Sequence, residues 1–226
     1  MRNLILALLL LTLPAAVLAQ EKELQIVRDA TEVMQEIQKI PEKGIPPAML
    51  RGAHAVAVIP GMIKAGFFVG GKYGRGVLVM KKNGVWQAPV FVKMIGGSLG
   101  WQIGAQSTDV VLVFMSEKSV QDVFQGKITL GADAAVAAGP VGRRVEGATD
   151  VKLKAEIYSY SRSRGLFAGV SFEGASLDVD HAADGLFYGR EGIMPQAIVQ
   201  KSPGSLPVPA RRLLTALDQA QAGNGH

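Results

Sequence analysis

The longest periodic stretch lies near the start of the chain. Ile26, Ala30, Val33, Ile37 and Ile40 recur at alternating intervals of four and three, which places them on one stripe of a helix over 21–40. Leu24, Val27 and Met34 widen the stripe, and Pro41 and Gly44 end it. The polar face sets Glu21, Glu23, Asp29, Glu32 and Glu36 against Lys22, Arg28 and Lys39. A helix lying in a lipid surface is normally basic on that face, so this one is expected to pack on a domain. Pro46-Pro47 opens a second, short helix over 48–51 that Gly52 closes.

Strand patterns follow. Residues 53–59 form an apolar run rich in Val and Ala that stops at Pro60-Gly61 and reads as a buried strand. Asn83-Gly84 lies between two alternating runs, the signature of a two-residue hairpin turn. Pairing Lys82 with Val85 then sets Lys81 opposite Trp86, Val79 opposite Ala88 and Val77 opposite Val90, with Lys81 stacked on the indole. Strands are also expected over 109–115, 151–162, 166–172 and 176–179, with a helix over 117–124 capped by Ser116. A Pro-rich link over 201–209 leads to a last helix over 210–222. The fold class expected is α+β: N-terminal helices packed on a large bent antiparallel sheet, and a C-terminal helix.

The first nineteen residues carry a different pattern. Met1-Arg2-Asn3 is short and basic, 4–13 is almost wholly apolar, and Val17 and Ala19 are small residues where a signal peptidase reads. This predicts a leader over 1–19, one domain over 20–200 and a linker with C-terminal helix over 201–226. It also predicts export, to the periplasm or beyond, with peripheral attachment to the outer membrane as one location.

Composition removes several chemistries. The chain has no cysteine, which excludes disulfides, thiolate metal sites and cysteine nucleophiles, and it has only three histidines. Neither a G-x-S-x-G elbow, nor HExxH, nor a Walker motif occurs. The glycine-rich run 96–106 lacks the Gly-Lys-Ser/Thr ending of a phosphate loop and reads as strand that must bend. Asp178, Asp180, His181 and Asp184 could surround a metal, but a polar strand end is the favoured reading. No catalytic residue, metal or cofactor is assigned, and the protein is not expected to be an enzyme.

Charge adds a positive feature. Between Glu42 and Asp109 there is no acidic residue, yet eight basic ones occur there. Such a stretch attracts anionic surfaces if its charges converge in the fold. Lys152, Lys154, Tyr158, Tyr160 and Arg162 give a basic, aromatic strand face. Nucleic acid is not the expected partner of an exported protein, so that face reads as a solvated surface or a self-association face.

Ordered blocks of residues carry a resemblance. They are Ile45-Pro46, Leu50 and Gly52-Ala53; Ala57 to Pro60; Lys64 to Phe67; Gly70 to Gly76; Trp86 to Pro89; Gly96 to Ser98 with Gly104 to Gln106; Gly165 to Ser171; and Tyr188-Gly189. Together they resemble the SYLF domain, the lipid-binding domain of the yeast actin-patch family, in a stand-alone exported form. The resemblance implies binding of acidic phospholipids, phosphoinositides among them. Actin is an unlikely partner for an exported chain.

The expected function is therefore non-enzymatic binding of anionic phospholipid at a membrane surface. The candidate patch is Lys64, Lys72, Arg75, Lys81, Lys82, Lys93, Arg162 and Arg164, with Met62, Ile63, Phe67 and Phe68 as shallow membrane contacts. The alternative is an envelope structural or protein-interaction module that self-associates into a homo-oligomer.

Overall fold

The computed structural model describes the backbone of residues 2–39, 44–126, 128–140, 155–163, 166–169 and 172–223. Side chains within 2–19, 64–70, 98–106 and 163–169, and that of residue 38, lie outside the description.

Two long strands dominate. β1 runs Ala55–Lys82 and β3 runs Val90–Phe114, antiparallel from the Ala55–Phe114 pair to the Leu78–Val90 pair. The strand expected to stop at Pro60-Gly61 instead continues through a bulge between Ile59 and Met62. Gly61 absorbs the bulge at φ +56°. A second irregularity lies between Gly66 and Phe68.

These interruptions let the ribbon fold back on itself. The Lys81 N–H donates to the carbonyl of His54 at 2.7 Å, so the end of β1 bonds to the residue just before its start. Gly76 lies directly against the backbone of Val58 and Ile59, and Gly74 against the side chains of Ile59 and Met62. The residue numbers of these contacts sum to nearly the same value, so the two halves of β1 run past each other in opposite directions. The bend falls between them, near residues 66–70. Val56 to Ile59, Val77 to Val79, Val90 to Val92 and Val110 to Phe114 are fully buried on both faces. One face is enclosed by the fold-back and the other is covered by helices, which explains why these strands read as unbroken apolar runs.

The hairpin turn forms as expected: β2 (Val85–Trp86) pairs Lys82 with Val85 and Lys81 with Trp86. Beyond it the register differs by one residue. Val77 lies opposite Phe91, and Leu78 opposite Val90. Gln87 still donates to the Met80 carbonyl at 2.8 Å, but Pro89 has no N–H for the ladder, and the strand resumes at Val90 one position later.

The remaining strands extend this sheet to eight: β4 (Ile128–Thr129), β5 (Val136–Ala138), β6 (Ile157–Ser163), β7 (Leu166–Gly169) and β8 (Ser176–Val179). All pairs are antiparallel except β5 with β6, so the sheet is mixed. Residues 151–154 of the expected sixth strand lie outside the described residues. Tyr158 and Tyr160 do not form a solvated face, since both are buried. Gly139 leaves room for the Tyr160 ring, which a Cβ there would meet at 2.1 Å.

Helix α1 spans Arg2–Lys39 and lies across β1, α4 and α6 through its apolar stripe. α2 (Pro47–Gly52) and α3 (Glu117–Gln125, capped by Ser116) match expectation. Residues read as a polar strand end form α4 (His181–Tyr188), which Gly189 closes in the left-handed region. α5 (Pro195–Ile198) and α6 (Val208–Ala222) complete the fold. Leu213, Leu217 and Ala220 of α6 are buried, and this helix packs on α1 and α2. Among the described residues no helix is long and apolar enough to cross a membrane.

Candidate functional site: the ribbon tip and its ion-paired flank

The fold-back gives the molecule a tip, the bent middle of the β1–β3 ribbon. Three large apolar side chains stand in solvent at its rim: Ile63 is 52% exposed, Tyr73 49% and Ile95 47%. Tyr73 and Ile95 are cross-strand partners. Side chains alternate along a strand, and Met62 and Gly74 face each other inside the fold-back. Ile63 therefore leaves one layer outward, and Tyr73 and Ile95 leave the other. The exposed side chains form a belt around the tip. Lys72 lies beside it with its ammonium 5.3 Å from the centre of the Phe172 ring. Lys64, Phe67 and Phe68 belong to the bend, but their side chains lie outside the described residues, as does Arg164. Met62 is buried against Gly74.

The other candidate cations go elsewhere. Arg75 donates to both carboxylate oxygens of Glu23 at 3.0 Å and to Asp180 at 2.9 Å. Lys93 pairs with Asp178 at 3.4 Å. Arg162 bridges Asp109 at 2.8 Å and Glu36 at 3.4 Å. The ammonium of Lys81 donates to the carbonyl oxygens of Leu50 and Arg51 and lies 4.2 Å from the centre of the Trp86 ring. This confirms the cation–π contact and ties the hairpin to the end of α2. Lys82 is exposed at the hairpin turn, nine residues and about 30 Å of extended strand from Tyr73. The six candidates whose side chains are described thus do not gather in one patch.

The flank above the tip is an ionic lock on α1. Glu23, 3% exposed, comes from the helix, Arg75 from β1 and Asp180 from the start of α4. Burial works against the Arg75 charge, but the bonds and charges of Glu23 and Asp180 outweigh it and hold its pKa above the ordinary arginine value. Asp180 also caps α4 by accepting from the Ala183 N–H. Asp178 and Asp180 are therefore spent on cations and a helix cap.

Asp184 belongs to the same cluster and is fully buried. Its Oδ1 accepts the Phe91 N–H at 2.8 Å, while Oδ2 has no partner among the described residues. Burial pushes its pKa up to about 7, and the nearby Asp180 and Glu23 charges add to the rise. A carboxyl whose folded pKa exceeds its unfolded one favours folding while protonated, and that contribution is lost as pH rises from about 4 through about 7. Asp184→Asn keeps the acceptor for Phe91 and cannot ionise. It is expected to raise unfolding stability at pH 8 by about 1–3 kcal/mol and to flatten the pH dependence between 4 and 7. Urea unfolding across that range reads the effect; parallel pH profiles for both proteins would refute it.

A helix-covered sheet whose central ribbon doubles back to present an apolar tip defines the class of domain. Residues 95–220 match the family model described as Ysc84, Las17-binding protein actin regulator, and the chain belongs to this family. That establishes the SYLF resemblance seen in the sequence. An SH3 domain-containing YSC84-like protein from Xenopus laevis is 35% identical over 76% of this chain and 53% of its own length. The human protein of that name is 36% identical over 70% of this chain and 46% of its own. Protein YSC84 of Saccharomyces cerevisiae is 40% identical over 64% and 32%. The chain thus spans about half or less of the curated relatives it matches. None of these names is that of an enzyme.

Proposed function

We propose that this domain binds anionic phospholipid at a membrane surface, with the ribbon tip as its contact. The observation that carries this reading is the belt of Ile63, Tyr73 and Ile95, exposed on a bend that also holds Lys64 and Lys72. Apolar side chains that enter the headgroup region are stabilised by leaving water, and the Lys72 ammonium beside them adds roughly 1 kcal/mol against anionic lipid. Arg75, Lys93 and Arg162 serve this surface indirectly: their charge is balanced by acids, and they hold α1 and the sheet in place. The basic patch read from the sequence is therefore narrowed to the tip. The leader over 1–19 is proposed to be cleaved after Ala19, which would place the tip in an exported domain that starts at Gln20.

The test is co-sedimentation with vesicles of phosphatidylcholine alone or mixed with phosphatidylglycerol, at low and high salt. Binding should require the anionic lipid and weaken with salt. The double variant Tyr73→Ser, Ile95→Ser should bind about tenfold more weakly or worse, given roughly 1 kcal/mol of transfer energy per half-exposed side chain. Lys82→Glu should leave binding unchanged. Binding lost in Lys82→Glu and kept in the double variant would overturn the tip assignment. The family description names an actin regulator, whereas the export signal made actin an unexpected partner. Filament co-sedimentation without lipid is therefore the second arm, and association there alone would replace the lipid reading.

A further inference from the structure

The end of the ribbon opposite the tip holds a cavity of about 500 Å³ between the end of β1, the turn into β2, helix α3 and the α5 segment. We propose that this cavity is a second binding site, for a neutral polyhydroxylated ligand of the size of a short saccharide.

The side chains argue for that class. Gln121 projects from α3, Gln196 from α5 and Gln200 from the turn after it, and all line the cavity. None of the three side-chain amides has a hydrogen-bond partner among the described residues. A primary amide offers two donors and an acceptor, so three of them present an array of both kinds of group. Vicinal hydroxyls, each both donor and acceptor, match such an array; a phosphate or a carboxylate, which only accepts, does not.

Charge points the same way. Lys81, Lys82 and Glu117 are the charged residues of the lining. The Lys81 ammonium is engaged by the carbonyls of Leu50 and Arg51, which leaves Lys82 and Glu117 as the opposed charges. An anion would meet Glu117, and a cation would meet Lys82. His54, Asn83 and Gln87 add further polar groups to the lining, and Met80, Phe124 and Val199 give it apolar ground. That leaves a surface for the C–H face of a sugar ring beside the groups that bond its hydroxyls. The volume falls in the usual range of small-ligand sites, roughly 300–1,000 Å³.

This site is independent of the tip. Its test is an NMR titration of the full chain with maltotriose, cellotriose and chitotriose, following the side-chain amides of Gln121, Gln196 and Gln200. At least one trisaccharide is expected to shift them saturably, with a Kd of about 1 mM or tighter. Gln121→Ala with Gln200→Ala should weaken that binding at least about tenfold while the backbone amide spectrum and vesicle co-sedimentation stay unchanged. The inference fails if no trisaccharide moves these signals, or if the shifts persist in the double variant. It also fails if glycerol phosphate saturates the site at lower concentration than any sugar, which would make it an anion site.

Discussion

Arg75→Ala is expected to cost about 3–5 kcal/mol of unfolding stability, the range found when one partner is removed from a buried ion pair. The guanidinium stands between Glu23, 3% exposed, and Asp180, with fully buried Asp184 behind them. Without it three carboxylates share one pocket with no positive charge to balance them. The loss should therefore be larger at pH 8 than at pH 5, where protonation relieves part of the repulsion. Because Glu23 belongs to α1 and Arg75 to β1, the backbone amides of α1 should lose exchange protection before those of β3. Arg75→Met combined with Glu23→Gln should recover much of the loss, since it removes both charges and keeps the volume. Chemical denaturation at the two pH values reads the result. A loss below about 1 kcal/mol at pH 8 would show that water still solvates Glu23 and that the lock is a surface pair.

That lock also shows where sequence reasoning stopped. The acid-free run from Lys43 to Thr108 suggested a positive surface, because along the chain its cations stand alone. In the fold, Arg75 meets an acid 52 positions earlier and another 105 positions later. Counter-charges supplied by α1 and by the β8–α4 corner are invisible to any count within the run. Asp180 and Asp184 looked like a polar strand end for the same reason: nothing local announced that one would cap a helix and the other be fully buried. The amphipathic helix, the Asn83-Gly84 turn, the Lys81–Trp86 contact and the Ser116 cap were legible, since each depends on residues a few positions apart. The single-residue register change after Trp86 had a local signal in Pro89. The continuation of β1 past Pro60-Gly61 did not, because a bulge and a strand end use the same residues. The exposure of Ile63, Tyr73 and Ile95 could not be read either. It follows from the fold-back of β1, a contact between positions some twenty residues apart.

The fold-back itself depends on one position more than any other. Gly76→Ala is expected to destabilise the domain by more than about 3 kcal/mol, beyond the usual cost of overpacking. A Cβ at Gly76 would lie 2.0 Å from the carbonyl oxygen of Val58 and 2.7 Å from the Cα of Ile59. Both are backbone atoms inside β1, so no rotamer change can make room. The two layers would have to separate along the line where Val56 to Ile59 and Val77 to Val79 are fully buried. Gly71→Ala is the control, because a Cβ there meets nothing within 4 Å. It should stay within about 0.5 kcal/mol of the parent, as surface substitutions do. Thermal and urea unfolding of the two variants measures the difference. Equal stability would mean that the layers can part cheaply and that the tip is not held by this closure. If Gly76→Ala unfolds early, vesicle binding should fall with it, because Ile63 and the Tyr73–Ile95 pair flank one tip only while β1 is folded over.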